Sequence, residues 1–279
     1  MRYIMRYKDI NNNSFLHLVM LAALLGFVIC FTGIIRQPNL CRQQDIAEIP
    51  DAAFENRVFS TAADGRTQEE KIVCLTFDDG PSKTTKEILK ILQQKGVSAT
   101  FFVIAAENNR KYLPLVEQEA AQGHQIALHS ASHEYKQIYQ SCDSYWKDIA
   151  KLQESLAPYV KTDEIRYLRF PGGSTNTVSR KYGGSGLMKQ LKQQAEEKDY
   201  RYIDWNVCAE DAAGGHPSAE EIYRNIISEA KEKTVCVVLM HDTNATQNTA
   251  DALPDVIDWF KEQNYRFCTV EQMDKLCGR

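Results

Sequence analysis

The feature that most constrains the fold is a regular alternation of strand-like and helix-like segments that begins near residue 70. Continuously apolar runs, as found in strands buried on both faces, alternate with segments of helical apolar spacing. Strands are predicted at 72–77, 97–104, 125–129, 166–170, 202–207, 235–240 and 266–270, and helices at 85–95, 114–122, 145–156, 186–198, 218–230 and 250–262. This alternation predicts an α/β fold, a distorted (β/α) barrel of about seven repeats. A doubly wound open sheet is the alternative, since no local motif separates the two.

An apolar stretch precedes this pattern. Residues 15–35 contain no Asp, Glu, Lys or Arg and are long enough to span a bilayer as one transmembrane helix. Arg2, Arg6 and Lys8 precede the stretch, which assigns residues 1–14 to the cytoplasm by the positive-inside rule. A cleaved signal peptide is the alternative, but the run is long for one and no small-residue cleavage site follows. We therefore expect a single-pass protein of the cell membrane whose remaining domain is extracytoplasmic.

Residues 36–68 are predicted to form a linker or stalk, because they are polar, lack a repeating apolar period and include Pro38 and Pro50. One folded domain then occupies residues 69–279. A formal net charge of -4 gives no indication of nucleic-acid binding.

Eight cysteines are present, none in a C-x-x-C spacing, so the sequence has no cysteine cluster of the structural zinc type. Cys74 and Cys236 lie in apolar strand-like runs and are expected to be buried thiols. If the domain contains a disulfide, Cys268 and Cys277 are the pair that we expect to form it.

Two adjacent carboxylates, Asp78 and Asp79, follow the first predicted strand and directly precede Gly80-Pro81. Residues at the carboxyl end of a parallel strand project toward the place where such folds build their sites. Adjacent carboxylates repel one another unless a cation or a shared proton compensates. A site for metal binding or proton transfer is predicted here, with a turn-capping pair as the alternative.

Two histidines four residues apart, His129 and His133, follow the third predicted strand. If the loop between them forms one helical turn, both rings project to the same side and suit one divalent ion. Asp79 is the natural third ligand. Two histidines and one carboxylate leave positions open for water, as in catalytic metal sites. Two surface histidines on a loop are the alternative.

Two further strand ends carry groups suited to catalysis. Arg169 comes shortly before Gly172 and Gly173, whose small size lets main-chain N–H groups approach a ligand. A buried arginine needs a carboxylate partner, which Asp211 or Asp204 would provide. His241 ends the last apolar run and suits proton transfer near neutral pH, with a capping or core histidine as the alternative.

Together these motifs resemble those of the polysaccharide deacetylases, metal-dependent enzymes that remove N-acetyl or O-acetyl groups from sugar polymers. The resemblance covers residues 70–275 and is greatest to the peptidoglycan N-acetylglucosamine deacetylases. The matching motifs are Thr76-Phe77-Asp78-Asp79-Gly80, His129-Ser130-Ala131-Ser132-His133, a variant Arg169-Phe170-Pro171-Gly172-Gly173 and Leu239-Met240-His241.

The resemblance also implies a role for each residue of these motifs. It implies that Asp79, His129 and His133 hold one divalent ion. Zinc is the expected ion, and cobalt, nickel and manganese are the alternatives. It implies that Asp78 is the general base and His241 the general acid. The remaining implied roles are orientation of the base by Arg169, support of that arginine by Asp211, and substrate contacts by Gly172, Leu239 and Trp205.

Two departures from the family pattern affect the sugar groove. Gly172 stands where many members have an aromatic residue, and Ala212 where the fourth motif often ends in tryptophan. Both changes remove walls, so we expect a more open groove. His124 and His216 belong to no motif and are expected to be structural or surface groups.

The expected function is metal-dependent hydrolysis of acetamido groups on a cell-wall polysaccharide, with release of acetate. Peptidoglycan is the first candidate for that polysaccharide. Deacetylation of chitin-like oligomers, an exopolysaccharide or acetylxylan would use the same residues and is the second reading. The third is a carbohydrate-binding pseudoenzyme without turnover. Such a protein would lack a metal ligand, the base or the acid, whereas all five of those residues are present here.

Overall fold

The computed structural model describes residues 58–61, 67–212 and 214–278. The predicted segments 1–14 and 15–35 and most of the linker lie outside these ranges and stay predictions. In the ranges described, no helix is both long enough and apolar enough to cross a bilayer. One short part of the predicted linker, Val58–Thr61, forms a strand.

Nine strands and nine α-helices are present in these ranges. The strands are β1 Val58–Thr61, β2 Thr67–Asp78, β3 Thr100–Ile104, β4 Gln125–Ser130, β5 Tyr167–Leu168, β6 Arg201–Tyr202, β7 Val207–Cys208, β8 Val235–His241 and β9 Tyr265–Phe267. The α-helices are α1 Lys83–Lys95, α2 Leu115–Ala121, α3 Tyr135–Ile138, α4 Cys142–Leu156, α5 Val178–Gly183, α6 Leu187–Glu197, α7 Ala219–Ala230, α8 Gln247–Glu262 and α9 Val270–Leu276.

The sheet runs in the order β6-β5-β4-β3-β2-β8-β7, and every pairing along this path is parallel. Strand β1 pairs antiparallel with the start of β2, and β9 adds a short parallel pairing to it. The sheet is curled into a half-barrel with helices around it. The predicted α/β class and barrel-like architecture are therefore confirmed for the described residues.

Strand β2 pairs with four other strands and fixes the relative heights of its neighbours. It pairs with β8 from Ile72–Val235 to Asp78–His241, so those two polar residues end adjacent strands side by side. Farther along the sheet, Leu128 of β4 pairs with Leu168 of β5. The next residues along the chain, His129 and Arg169, therefore lie at the same height as each other. Register alone thus brings four strand ends to one edge.

The predicted strand 202–207 is wrong, because it divides into β6 and β7, and residues 203–206 between them belong to neither strand. In that stretch, the carbonyls of Ile203 and Asp204 accept hydrogen bonds from Arg169 at 3.0 and 3.1 Å. The side chain of Asn206 bonds to the backbone of β8. The arginine takes up carbonyls that a neighbouring strand would otherwise use, and β6 and β7 do not pair with each other.

The cysteine predictions have mixed outcomes. Cys74 and Cys236 are free and fully buried, as expected. The predicted disulfide between Cys268 and Cys277 is wrong, since neither residue forms a disulfide. The two residues flank α9, whose seven residues place its ends about 10 Å apart, beyond the span of a disulfide.

Candidate functional site

A pocket of about 200 Å³ opens where the carboxyl ends of the strands meet. Nine of the ten predicted site residues line it: Asp78, Asp79, His129, His133, Gly172, Trp205, Asp211, Leu239 and His241. The tenth, Arg169, is fully buried and lies against Asp78. The predicted groups therefore converge on one concave surface, as expected of a ligand site.

Asp79, His129 and His133 form the group in the described structure whose ligand atoms could hold a metal ion, all lying within 4.8 Å of one another. The Oδ1 atom of Asp79 is 3.5 Å from Nε2 of His129 and 3.3 Å from Nε2 of His133. Ligands of a tetrahedral zinc ion at about 2.1 Å stand about 3.4 Å from one another, so the spacing suits such an ion.

The protonation of these groups also fits a cation. The Nδ1 atom of His129 lies 2.7 Å from the carbonyl oxygen of Arg169, so Nδ1 carries the proton and Nε2 presents its lone pair to Asp79. Burial lowers the pKa of His129 to about 3, which keeps its ring neutral. Asp79 Oδ1 is itself buried and has no hydrogen-bond partner among the residues that the structure describes. An unpaired carboxylate oxygen facing an imidazole lone pair leaves a place that a metal ion would satisfy.

The loop that carries His133 is shaped differently from the predicted helical turn. His133 has a φ of 55°, and the loop is held by Asp148 of α4. One carboxylate oxygen of Asp148 accepts hydrogen bonds from Ser130 Oγ at 2.6 Å and Ala131 N at 2.7 Å, and the other from the N and Oγ of Ser132. Ser130 Oγ then accepts the N–H of His133 at 2.8 Å. Asp148 was not predicted from the sequence.

Asp78 lies at the floor of the pocket, 3% exposed. Its Oδ1 accepts a hydrogen bond from Arg169 Nη1 at 2.8 Å, and the same nitrogen donates to Thr76 Oγ1. Burial raises the pKa of Asp78, and the charges of Arg169 and His241 oppose that rise. The guanidinium also lies over the ring of Phe102, 4.1 Å from its centroid, which fixes its plane.

His241 and Asp211 form a second pair across the pocket. His241 Nδ1 lies 2.8 Å from Asp211 Oδ1, and the other oxygen of Asp211 accepts the N–H of His241 and the hydroxyl of Thr249. Burial lowers the pKa of His241, but the charge and hydrogen bond of Asp211 outweigh that effect and raise the pKa to about 10.

Asp211 was expected to support Arg169, and the structure corrects this expectation. Its carboxylate contacts His241, whereas the carboxylate of Asp204 binds the N–H and hydroxyl of Ser174 at 2.8 and 2.6 Å. Arg169 contacts Asp204 through the backbone carbonyl alone. The carboxylate paired with Arg169 is Asp78.

The loop after β5 passes between two aromatic rings. Gly172 and Gly173 have φ angles of 77° and 84°, a region that favours glycine. A Cβ on Gly172 would lie 3.2 Å from the Tyr135 hydroxyl, and one on Gly173 would lie 3.2 Å from the Trp205 ring. The wall expected to be missing at Gly172 is thus partly supplied by Tyr135, which the sequence reasoning overlooked and which no motif marks.

The two other histidines of the described residues, His124 and His216, lie away from the pocket lining. His124 is buried and accepts a hydrogen bond from Ala99 N through Nδ1. Burial lowers its pKa to about 4. His216 is exposed. Both positions agree with the structural and surface roles expected for them.

Comparison with known proteins gives consistent results. The model of the polysaccharide deacetylase family matches residues 65–186. A peptidoglycan-N-acetylglucosamine deacetylase of Bacillus cereus is 31% identical over 205 residues, which cover 72% of this chain and 69% of that protein. A bifunctional xylanase/deacetylase of Pseudobutyrivibrio xylanivorans is 28% identical over 76% of this chain, but only 32% of its own length is matched.

A solved structure is similar over the same region. The catalytic domain of the peptidoglycan N-acetylglucosamine deacetylase from Eubacterium rectale is 36% identical, with a TM-score of 0.68, and the match covers 73% of this chain and 90% of that domain. Sequence motifs, strand-end geometry and all three similar proteins agree. This chain belongs to the polysaccharide deacetylase family of enzymes.

Proposed function

We propose that this enzyme hydrolyses the acetamido groups of N-acetylated sugars in peptidoglycan and releases acetate. The reaction would use one divalent metal ion, for which zinc is the first candidate. The observation that carries the proposal is the Asp79–His129–His133 group, with Asp78 and His241 lining the same pocket. An amide is a poor electrophile, so this reaction needs both an activated nucleophile and a protonated leaving group.

The metal ion would be held by Asp79, His129 and His133. When bound, it would polarise the acetamido carbonyl and lower the pKa of a water molecule from about 16 toward 7. Asp78 is proposed to accept the proton from that water. Arg169 would hold the carboxylate of Asp78 in one orientation through their 2.8 Å contact, which leaves its Oδ2 for the proton.

His241 is proposed to donate a proton to the departing nitrogen. The raised pKa of about 10 keeps its imidazolium form populated at neutral pH, and the Asp211 contact at Nδ1 leaves Nε2 as the donor. Leu239, on the same strand, lines the pocket and would receive the acetyl methyl group. Gly172 and Trp205 would contact the sugar.

Peptidoglycan is favoured because two similar proteins carry peptidoglycan N-acetylglucosamine deacetylase names. Acetylxylan is the second candidate, supported by the resemblance to a bifunctional xylanase/deacetylase. We also propose that residues 15–35 anchor the enzyme in the cell membrane with its catalytic domain outside the cytoplasm, beside the wall. That anchor would be contradicted if the mature protein isolated from membranes began beyond residue 36.

The test is acetate release by the purified full-length protein from peptidoglycan, chitooligosaccharides and acetylxylan, with and without chelator and added zinc. We expect acetate from peptidoglycan, lost with chelator and restored by zinc, and a loss of at least about 100-fold in Asp78→Asn. Acetate from acetylxylan alone would move the assignment to the second candidate. No acetate from any polymer, despite bound metal, would contradict the enzymatic proposal and favour carbohydrate binding without turnover.

A further inference from the structure

Tyr135 brings an aromatic ring into the pocket from the start of α3, two residues beyond His133. Its ring meets the ring of His133 edge-on, with centroids 5.3 Å apart and planes at 69°. In the described residues, the Tyr135 side chain makes ring contacts with His133 and Tyr139 and no hydrogen bond through its hydroxyl. Within that part of the chain, the donor and acceptor positions of this hydroxyl are therefore unused and are open to a ligand in the pocket.

The ring of Tyr135 is held from behind. It stacks on Tyr139, with centroids 6.0 Å apart and planes at 27°. Tyr139 is fully buried, donates its hydroxyl to the carbonyl of Pro171 at 2.7 Å and stacks in turn on Tyr145. A side chain supported in this way loses little conformational entropy when it binds a ligand.

The neighbouring loop is shaped around this ring. Gly172 and Gly173 each have a positive φ, and each lacks the Cβ that would crowd Tyr135 on one side and Trp205 on the other. Tyr135 and Trp205 both line the pocket. Two aromatic side chains thus border the Gly172-Gly173 turn within reach of the metal-binding residues.

We propose that Tyr135 is a substrate-contacting residue which, together with Trp205, recognises the pyranose ring of an N-acetylated sugar. This inference rests on the proposed function and adds a residue to it. A pyranose presents an apolar C–H face and an edge of hydroxyl groups, which match an aromatic ring and a phenolic hydroxyl. Tyr135 lies on α3, whereas Gly172 lies in the loop after β5. The aromatic wall next to Gly172 is therefore supplied by a different part of the chain.

The expected kinetic signature is a change in binding. Tyr135 contacts the sugar ring away from the reacting amide, so it stabilises the bound substrate and the transition state alike, and its loss should raise KM more than it lowers kcat. With chitooligosaccharides and the zinc-loaded full-length protein, we expect KM to rise about 3-fold in Tyr135→Phe and about 10-fold or more in Tyr135→Ala. Gln137→Ala, an exposed position of the same helix, should match the wild type.

Two further measurements separate the alternatives. Oligosaccharide binding by calorimetry to Asp78→Asn, with and without Tyr135→Ala, tests the contact without turnover, and we expect the affinity to fall by the same factor as KM rises. Zinc content of Tyr135→Ala should equal that of the wild type.

Unchanged KM and affinity in Tyr135→Ala would overturn the inference. Lost zinc with unchanged affinity would also overturn it, because Tyr135 would then only support His133. Absence of acetate release by the wild type would instead contradict the proposed function, and the calorimetry would still test Tyr135.

Discussion

The carboxylate of Asp211 contacts His241 twice, through one oxygen to the ring Nδ1 at 2.8 Å and through the other to the backbone N–H at 2.7 Å. Such a two-point contact fixes both the position and the tautomer of the imidazole. It also couples the charge of the ring to a residue that lies on a different part of the chain.

Replacement of Asp211 by Asn should therefore change the pH dependence of catalysis. Without the negative charge, the pKa of His241 falls from about 10, because burial then dominates. The alkaline limb of the kcat profile should shift to lower pH, and kcat at pH 8 should fall by about 100-fold or more. A shift of similar size in Asp255→Asn, an exposed carboxylate of α8, would assign the effect to overall charge.

The same pair should make stability depend on pH. The folded-state pKa of His241 lies above its ordinary value of 6.5, so protonation stabilises the folded protein. This contribution is fully present below pH 6.5 and is lost as the pH rises through about 10. Urea denaturation of metal-free protein should show Asp211→Asn to be more destabilising at pH 6 than at pH 10.5. Equal losses at the two pH values would contradict the coupling.

The buried pair of Arg169 and Asp78 should contribute strongly to stability. Arg169→Met leaves the Asp78 carboxylate buried without its partner, and the free energy of unfolding should fall by about 3–5 kcal/mol. Adding Asp78→Asn should recover part of that loss, because the uncompensated charge is removed. Denaturant titrations of both single variants and the double variant check this, with Arg180→Met at an exposed position as the control. Strict additivity would show that the two side chains do not interact.

Asp148 should set the affinity for the metal ion without contacting it. Asp148→Asn cannot accept all the hydrogen bonds that shape the loop of His133, so zinc affinity should fall by about 10- to 100-fold. Competition with a chromogenic chelator measures this, and Glu154→Gln, exposed on the same helix, should leave the affinity unchanged. Wild-type affinity in Asp148→Asn would mean that the loop keeps its shape by itself.

Substitution of Gly172 should be more costly than that of a glycine with a similar backbone in open space. Gly172→Ala incurs about 1–2 kcal/mol of left-handed strain and also crowds the Tyr135 hydroxyl. Gly96, which follows α1 with a φ of 64° and a ψ of 38°, has nothing near the position of a Cβ, so Gly96→Ala incurs the left-handed strain alone. The difference between the two in unfolding free energy should shrink in a Tyr135→Phe background. If the difference persists there, the hydroxyl is not its cause.

The sequence was sufficient to place the strand ends, and through them most of the site. Each relevant strand is an apolar run that ends in a polar motif, and parallel strands bring such ends to one edge. Asp78 and His241 are therefore neighbours for reasons visible in the sequence. The grouping of Asp79, His129 and His133, which could hold a metal ion, follows from the same logic.

Contacts made by side chains across the fold were not predictable in this way. Nothing local indicates that Asp148, in the second turn of an amphipathic helix, bonds to the loop of His133, or that Arg169 bonds to the carbonyls between β6 and β7. Asp211 was assigned to the arginine by alignment, but its carboxylate bonds to His241 at the end of the adjacent strand β8. Tyr135 lies on a helix of four residues, too short for any apolar period to predict.

Gly80 has a role beyond ending β2. A Cβ at this position would overlap the carboxylate of Asp242, which is buried and accepts a hydrogen bond from the Thr85 hydroxyl. The backbone N–H of Asp242 donates to the carbonyl of Asp78, and the backbone carbonyl of Asp242 accepts from the Ser82 hydroxyl. These contacts join the ends of β2 and β8 into one frame that carries both Asp78 and His241. The proposed proton acceptor and donor therefore cannot move independently, and adjustment to different sugars is left to the opposite rim, where Tyr135 and the Gly172-Gly173 turn lie. Substitutions at Tyr135 or in the Gly172-Gly173 turn can therefore change the range of substrates during evolution while the arrangement of Asp78 and His241 stays the same.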